Sequence, residues 1–471
     1  MGTMKQAMGP IASARLTLAL SSGKLAGRTA RALRMGGGTS LPGMVARRID
    51  PLVLRKVIGR TRAAKVIVTG SNGKTTTCRM LAAIAAAGGK GVVQNRTGSN
   101  LLQGVTTVAV AGANLRGEMR ADLLLFEVDE ATVAAAAAEI QPDMILVTNL
   151  FRDQLDRYGE LYSVAGALER SIRALPETAT AILNGDDPMV ASFAADASRW
   201  LLFGLRTAEV GTAVPEHAAD TVRCVRCQHD LDYAKVYISH LGDFRCPNCG
   251  YARQPLGVAV TGVRLGLEGT GVTLQTPYGE LRFDLGLPGL HNVYNAAAAV
   301  AAAQALGLPA EGIPAAMSSL RPAFGRLEPI AAGDRQVLLS FVKNPISYNT
   351  TLRTILQRPG PKAILAAESN TVVDGEDFAW LWDVDLEEVA PLIPWMVASG
   401  SKAEEVAMRY KYAGVSEDRI EVIPGLAPAL DAALARTPPG ETLYILASYT
   451  PTRELRKIME TRGWVRPFWQ E

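Results

Sequence analysis

The stretch Ala64–Met80, AKVIVTGSNGKTTTCRM, limits what this chain can fold into more than any other. Val66-Ile67-Val68 reads as a buried strand, and Thr69 to Thr76 turns the chain into a helix that runs on through Met80. A strand, a glycine-punctuated turn and a helix in that order form a phosphate cradle. Backbone N–H groups converge on the anion and the helix N-terminus adds its positive end. Gly70 and Gly73 permit backbone shapes that a side chain would obstruct. The expected nucleotide-binding set is Gly70, Asn72, Gly73, Lys74, Thr75 and Thr76, with Lys74 on the outer phosphates and the Thr75 hydroxyl on Mg²⁺. The general G-x-x-x-x-G-K-[ST] spacing is not kept, because its first glycine would fall on Val68.

From Ala64 to about residue 205, apolar runs of strand length (Val66–Thr69, Leu123–Val128, Met144–Thr148, Ala181–Leu183) alternate with alanine-rich helical stretches. That alternation predicts an α/β fold with a parallel sheet, its ligands bound beyond the C-terminal strand ends. Three segments follow from the pattern: a lead-in over 1–63, a central ATP-binding domain over 64–329, and a smaller α/β domain over 330–471. The last is expected because β-runs resume at Val337–Val342, Ala363–Ala367 and Leu443–Ala447. In the lead-in, Leu16, Leu18, Leu20, Leu25 and Leu33 are interleaved with Arg15, Lys24, Arg28, Arg31 and Arg34. Two readings stand. One is a helix docked on the first domain with a solvated basic face, which we prefer; the other is a helix lying on an anionic membrane. No apolar run approaches the ~18 residues of a membrane span, and no signal-peptide pattern is present. The expected location is therefore the cytoplasm, with the inner face of the membrane as the site of any peripheral contact. A net charge of +3 gives no ground for nucleic-acid binding.

Residues 221–253 interrupt the α/β pattern. Cys224-x2-Cys227 and Cys246-x2-Cys249 have the spacing of a structural four-cysteine zinc ribbon rather than a disulfide framework. Four thiolates fill a tetrahedron, so the site should not be catalytic. His229 and His240 are expected at the surface, and Cys78 in the core. Glu127 and Glu130 follow a buried strand and can hold a second Mg²⁺ or a water. Asn292 is placed to cap the alanine-rich helix that begins near Val293, and Asn295 to face a nucleotide. Arg326, at the domain junction, can reach a γ-phosphate when the domains close.

Taken in order, T-G-S-N-G-K-T, a strand ending in Glu127, T-N-x-x-x-D, L-x-G-x-H-N-x-x-N and G-R-x-E resemble the Mur ligase superfamily over roughly residues 40–450. The resemblance implies ATP-dependent amide formation through an acyl phosphate. It assigns Lys74 and Thr75 to phosphates and Mg²⁺, Glu127 to a second Mg²⁺, Asn295 to the adenine side and Arg326 to the nucleotide. The departures matter as much. Gln154 stands where ordinary members have a metal-side histidine, and no lysine lies near Leu168, where many members carbamylate one. Ser340-Phe341-Val342-Lys343-Asn344-Pro345 lacks the Asp and His of D-Y-A-H-N-P. These losses, the four-cysteine insertion and the motif Asp374-Gly375-Glu376-Asp377-Phe378-Ala379-Trp380-Leu381-Trp382-Asp383-Val384-Asp385 resemble the ligase-like subunits of lipid II isoglutaminyl synthases. That likeness implies amidation of the D-glutamate α-carboxyl of lipid II, with ammonia from a GatD-like glutamine amidotransferase in a heterodimer. Within that expectation Asp383 is the preferred residue to orient the partner's catalytic histidine, ahead of Asp377 and Asp385. The alternative is a single-chain Mur or folylpolyglutamate-type amino acid ligase.

Overall fold

The computed structural model describes residues 10–32, 40–95, 99–152, 161–194, 199–217, 219–322, 325–371 and 373–466. The motif around Gln154 and Asp156, together with Leu33, Arg34 and Phe324, lies outside them.

Six parallel strands come first: β1 (Ala64–Thr69), β2 (Val92–Gln94), β3 (Leu123–Glu127), β4 (Met144–Val147), β5 (Thr180–Asn184) and β6 (Trp200–Leu205). A separate antiparallel hairpin follows, β7 (Asp232–Ile238) and β8 (Leu241–Arg245), and then β9 (Val258–Leu265), β10 (Thr270–Thr276) and β11 (Gly279–Leu285). All but the hairpin join one nine-stranded sheet in the order β11-β10-β9-β6-β5-β4-β1-β3-β2. The chain passes from β1 to the edge strand β2, comes back to β3 beside β1, and then crosses to the other side of β1 through β4, β5 and β6. The C-terminal end of β1 therefore lies at a switch point, where a crevice opens.

β1 is built for this place. Val66 and Val68 enter the core on one face of the sheet and Ile67 the core on the other. A strand buried on both faces has no polar alternation, which is why it reads as a continuous apolar run. The helix Leu290–Ala305 presses into the same core with Ala296 to Ala303 fully buried. Side chains of one carbon let it approach the helix Lys74–Ala87 and the sheet closely.

A second sheet has the order β12 (Glu328–Ala332), β13 (Arg335–Phe341), β17 (Thr442–Ala447), β14 (Ala363–Ala367), β15 (Met396–Ser399) and β16 (Ile420–Val422). It is parallel except for the β12–β13 edge and carries cores on both faces. The lead-in is helical. Pro10–Ala32 packs on Leu41–Ile49, which packs on Leu102–Gly112 of the first unit.

Candidate active site

The loop after β1 is held open by its neighbours. Gly70 has φ +122° and Gly73 φ +87°, the left-handed region that disfavours side chains. A Cβ on Gly70 would lie 2.2 Å from Thr148 Oγ1, and one on Gly73 would lie 2.1 Å from Asn295 Oδ1. Asn72 is clamped from the end of β4. Its N–H donates to Asn149 Oδ1 at 2.9 Å, and its carbonyl accepts from Thr148 Oγ1 at 2.7 Å and Asn149 Nδ2 at 3.1 Å. Thr148 and Asn149 thus fix the loop. Thr76 and Cys78 are buried in the helix that follows.

Charged side chains converge here from three elements. The Lys74 ammonium donates to Glu130 Oε2 at 2.9 Å and to Ser71 O at 3.4 Å. Glu127 ends β3 and is 4% exposed, with Oε2 buried and without a hydrogen-bond partner. Asn95 fixes its backbone: Glu127 N–H donates to Asn95 Oδ1, and Asn95 Nδ2 to Glu127 O, each at 2.8 Å. Burial raises the Glu127 carboxyl above its usual range, against the pull of Lys74, Thr75, Arg326 and Lys343. Burial also pushes Glu130 up, but Lys74 and Lys343 outweigh it and hold that carboxyl below its usual value. The hinge and the second unit reach across. Arg326 Nη2 donates to Thr75 Oγ1 at 3.3 Å, and Asn344 Nδ2 to Asn72 Oδ1 at 3.4 Å. Asn344 is positioned by a capping box at the helix Pro345–Leu356.

A cleft adjoins the loop, lined by Gly73, His291, Asn295 and Arg326 and bounded by Phe341 and Ile346 of the second unit. His291 is kept neutral at pH 7, since burial and the Arg326 charge push its imidazole down to about 4. Asn292 does not cap its helix. The helix begins at Leu290 after Gly289, so Asn292 sits inside the first turn, donating to Pro288 O at 2.7 Å and accepting from Asn295 at 3.2 Å. Gly289, with φ +93°, starts the helix earlier than the apolar period suggests.

The four cysteines form one cluster, with their Sγ atoms all within 4.8 Å and Cys224–Cys249 and Cys227–Cys246 each at 3.5 Å. A tetrahedral zinc–thiolate site places sulfurs about 3.8 Å apart, so the donor set fits zinc. His229 is exposed, but His240 is not at the surface. It is fully buried at the β7–β8 turn, its ring 4.9 Å from that of Phe151 and its Nδ1 accepting from Thr221 N–H at 3.4 Å. The turn tucks in because Ile238 and Leu241 beside it form part of the cleft wall. Nothing in a zinc-knuckle pattern signals that placement.

Asp383 ends a short 3-10 helix, Ala379–Asp383, pinned by the buried side chains of Leu381 and Val384. Its Oδ2 lies 3.4 Å from Arg152 of the first unit. Asp385 is engaged by Asn349 Nδ2 at 2.8 Å, and Asp377 accepts from Ala379 N–H at 2.8 Å. Leu168 is fully buried in the helix Leu161–Arg173, so the position near which the resemblance places a carbamylated lysine is core. Sequence reasoning missed Asn95 as the clamp on Glu127, and it left Lys343 without a role. The only cue was that Lys343 stands in a motif otherwise close to the family's.

The Mur ligase middle domain family matches residues 68–303, and the MurT ligase C-terminal family matches residues 341–452. The chain is 30% identical over 455 residues to the lipid II isoglutaminyl synthase (glutamine-hydrolyzing) subunit MurT of Streptococcus pneumoniae, covering 96% of this chain and 99% of that protein. In fold it is similar to a pseudomurein peptide ligase type C from Methanothermus fervidus, with TM-score 0.67, 20% identity and coverage of 86% and 80% of the two chains. It is also similar to the MurF ligase from Thermotoga maritima in complex with ADP, with TM-score 0.61, 16% identity and coverage of 88% and 83%.

Proposed function

We propose, since this chain belongs to the MurT family of Mur ligases, that it is the synthetase subunit of a lipid II isoglutaminyl synthase. One observation carries the reading: a loop shaped for polyphosphate, a buried carboxylate with one oxygen unpartnered and cations from both units meet at one point. The loop from Gly70 to Thr76 binds the ATP phosphates, with Lys74 turning from Glu130 to the outer ones. Thr75 and Glu127 are the residues that would hold Mg²⁺, which when bound neutralises phosphate charge. Asn292, Asn295 and His291 face the nucleoside side, and Arg326 bridges from the hinge. The substrate carboxylate attacks the γ-phosphorus and ADP leaves, giving an acyl phosphate. Ammonia then attacks the acyl carbon, phosphate departs and one proton is lost to solvent.

Ammonia at neutral pH is mostly ammonium, which has no lone pair to attack with, so it must be released close by. A glutaminase needs an activated cysteine. Here four cysteines are clustered and Cys78 is buried in the loop's helix, so hydrolysis falls to a GatD-like partner in a heterodimer. The substrate is the D-glutamate α-carboxyl of the lipid II stem peptide, which places the enzyme at the inner face of the membrane. Zinc at Cys224, Cys227, Cys246 and Cys249 is structural.

The test is to incubate the chain with ATP, Mg²⁺ and a lipid II analogue, first with ammonium, then with glutamine and a GatD-like amidotransferase. The expected result is ADP release and a product lighter by about one mass unit with either nitrogen source, glutamine working only with the partner present. Amidation that needs an amino acid instead would identify a single-chain ligase, and absence of turnover with ammonium would refute the proposal.

A further inference from the structure

Every charged residue before Asp50 is a lysine or an arginine. The helix Pro10–Ala32 lies in this stretch, and its inner face is made for close packing. Leu16, Ala19, Leu20 and Ala30 are buried. A Cβ on Gly23 would meet Pro42 O and Val110 Cγ1 at 2.9 Å, and one on Gly27 would meet Pro42 Cγ at 3.0 Å. The outer face does not follow the usual rule for a solvated helix. Ile11, Leu18 and Leu25 are 84%, 58% and 63% exposed. Seven residues separate each from the next, and seven residues return to within about 20° on an α-helix, so the three form one apolar stripe.

The stripe is flanked by Arg15, Lys24 and Arg28, none of which makes an ion pair among the described residues; Arg15 Nε donates to Ile49 O at 2.7 Å and Lys24 Nζ to Ala111 O at 3.0 Å, contacts that hold the two cations at the edges of the stripe without neutralising them. The nearby acids are already engaged, Asp50 by Lys56 and Glu139 by Arg47. Burial first, and the neighbouring charge of Arg28 second, hold the Lys24 ammonium below its usual value. The helix pair also adjoins the acidic side of the active site. Ser40 Oγ, before the helix Leu41–Ile49, lies 2.8 Å from Ser99 Oγ, and the next residue, Asn100, accepts from Asp129 N–H at 3.0 Å.

We propose that the outer face of this helix lies on an anionic bilayer, with Ile11, Leu18 and Leu25 in the headgroup boundary and Arg15, Lys24 and Arg28 on lipid phosphates. No helix among the described residues is long and apolar enough to cross a membrane, so the contact is one of lying on the surface. A second copy of the same face would bring like charges together, which disfavours self-association as the cover. A soluble polyanion would use the cations and leave the apolar stripe without purpose. A bilayer contact there would hold the enzyme at the surface that carries a lipid-linked carboxylate; only that consequence rests on the proposed amidation.

Co-sedimentation of the full chain with vesicles tests the contact. Vesicles containing phosphatidylglycerol should retain the wild type, and pure phosphatidylcholine vesicles and high salt should weaken retention. The triple substitution I11S/L18S/L25S should lower retention about tenfold or more while leaving the melting temperature unchanged, since the three side chains are exposed. Amidation of a lipid-free stem peptide should be equal in the two proteins, and amidation of lipid-linked substrate in anionic vesicles should fall in the variant. Equal retention of variant and wild type, or failure of the wild type to bind anionic vesicles, would overturn the proposal. So would a change of oligomeric mass, or loss of an amidotransferase partner, in the variant. Vesicle binding without any amidation would instead refute the proposed reaction and leave the membrane face standing.

Discussion

Lys343 stands where the ordinary Mur motif has a histidine, and its charge acts on three carboxyls at once: Glu127, Asp129 and Glu130. It belongs to the second unit, so its ammonium arrives only when the two units meet at the loop. A cation there suits the charge that builds up as an acyl phosphate forms and breaks, and it is worth more in a dry site than in water. Lys343→Met should therefore lower kcat for ammonium-dependent amidation by roughly a hundredfold with little change in nucleotide affinity, and Lys343→Arg should restore part of it. An unchanged kcat in the methionine variant would remove Lys343 from the reaction. His291 gives a prediction of a different kind. Its folded value of about 4 lies below the ordinary 6.5, so the unfolded chain binds the extra proton between those limits. The associated stability is complete above 6.5 and is lost as pH falls through 4, amounting to at most about 3 kcal/mol and less because the ring is partly exposed. Urea midpoints measured across that window should fall with pH in the wild type and more shallowly in His291→Asn. Parallel curves would show that other groups dominate.

At the level of elements, the four-cysteine insertion shows how far a local pattern reaches. Its knuckles are stabilised by short backbone ties, Cys224 N–H to His229 O at 2.7 Å and Cys246 N–H to Tyr251 O at 2.6 Å, around the small core of Phe244 and Tyr251. The hairpin that grows from them ends at the cleft wall. Cys246→Ser should lose about one equivalent of zinc per chain, lower the melting temperature and weaken ATP binding, the last because Ile238 and Leu241 lose their support. ATP affinity unaltered in the metal-free protein would separate the hairpin from the cleft. The knuckles, the loop after β1 and the buried strands were legible in the sequence because each is set by residues close together in the chain. The two misreadings have different origins, one distant and one local. His240 is buried by Phe151 and Asn292 is drawn inside its helix by Pro288 and Gly289, and the first of these partners lies far off in sequence. The clamp of Asn95 on Glu127 was equally hidden, since it depends on β2 and β3 lying side by side.

Across the whole molecule, several polar contacts join the hinge and the second unit to the first. Arg326 and Asn344 reach the loop, Arg353 pairs with Glu216, and Arg152 pairs with Asp383. The last contact is the most informative, because Asp383 is the carboxylate proposed to serve a partner's histidine. Of the three candidates in its motif, Asp385 is committed to Asn349 and Asp377 caps its own turn, whereas Asp383 meets a half-exposed guanidinium at 3.4 Å. An ion pair of that kind is worth about 1 kcal/mol or less, so docking of another protein can redirect the carboxylate at small cost. Trp382 beside it is half exposed, its ring 5.7 Å from that of exposed Tyr412, which offers an aromatic anchor for the docking. Asp383→Asn keeps the shape and removes the charge. Glutamine-dependent amidation by the reconstituted pair should then fall by two orders of magnitude or more, while ammonium-dependent amidation by the same preparation stays within about twofold of wild type. Arg152→Ala should leave both activities near wild type, because it frees the carboxylate without removing it. Glutaminase activity unaffected by Asp383→Asn would mean that the partner orients its histidine without help from this chain. A parallel fall in both activities would assign Asp383 to the joint between the two units instead.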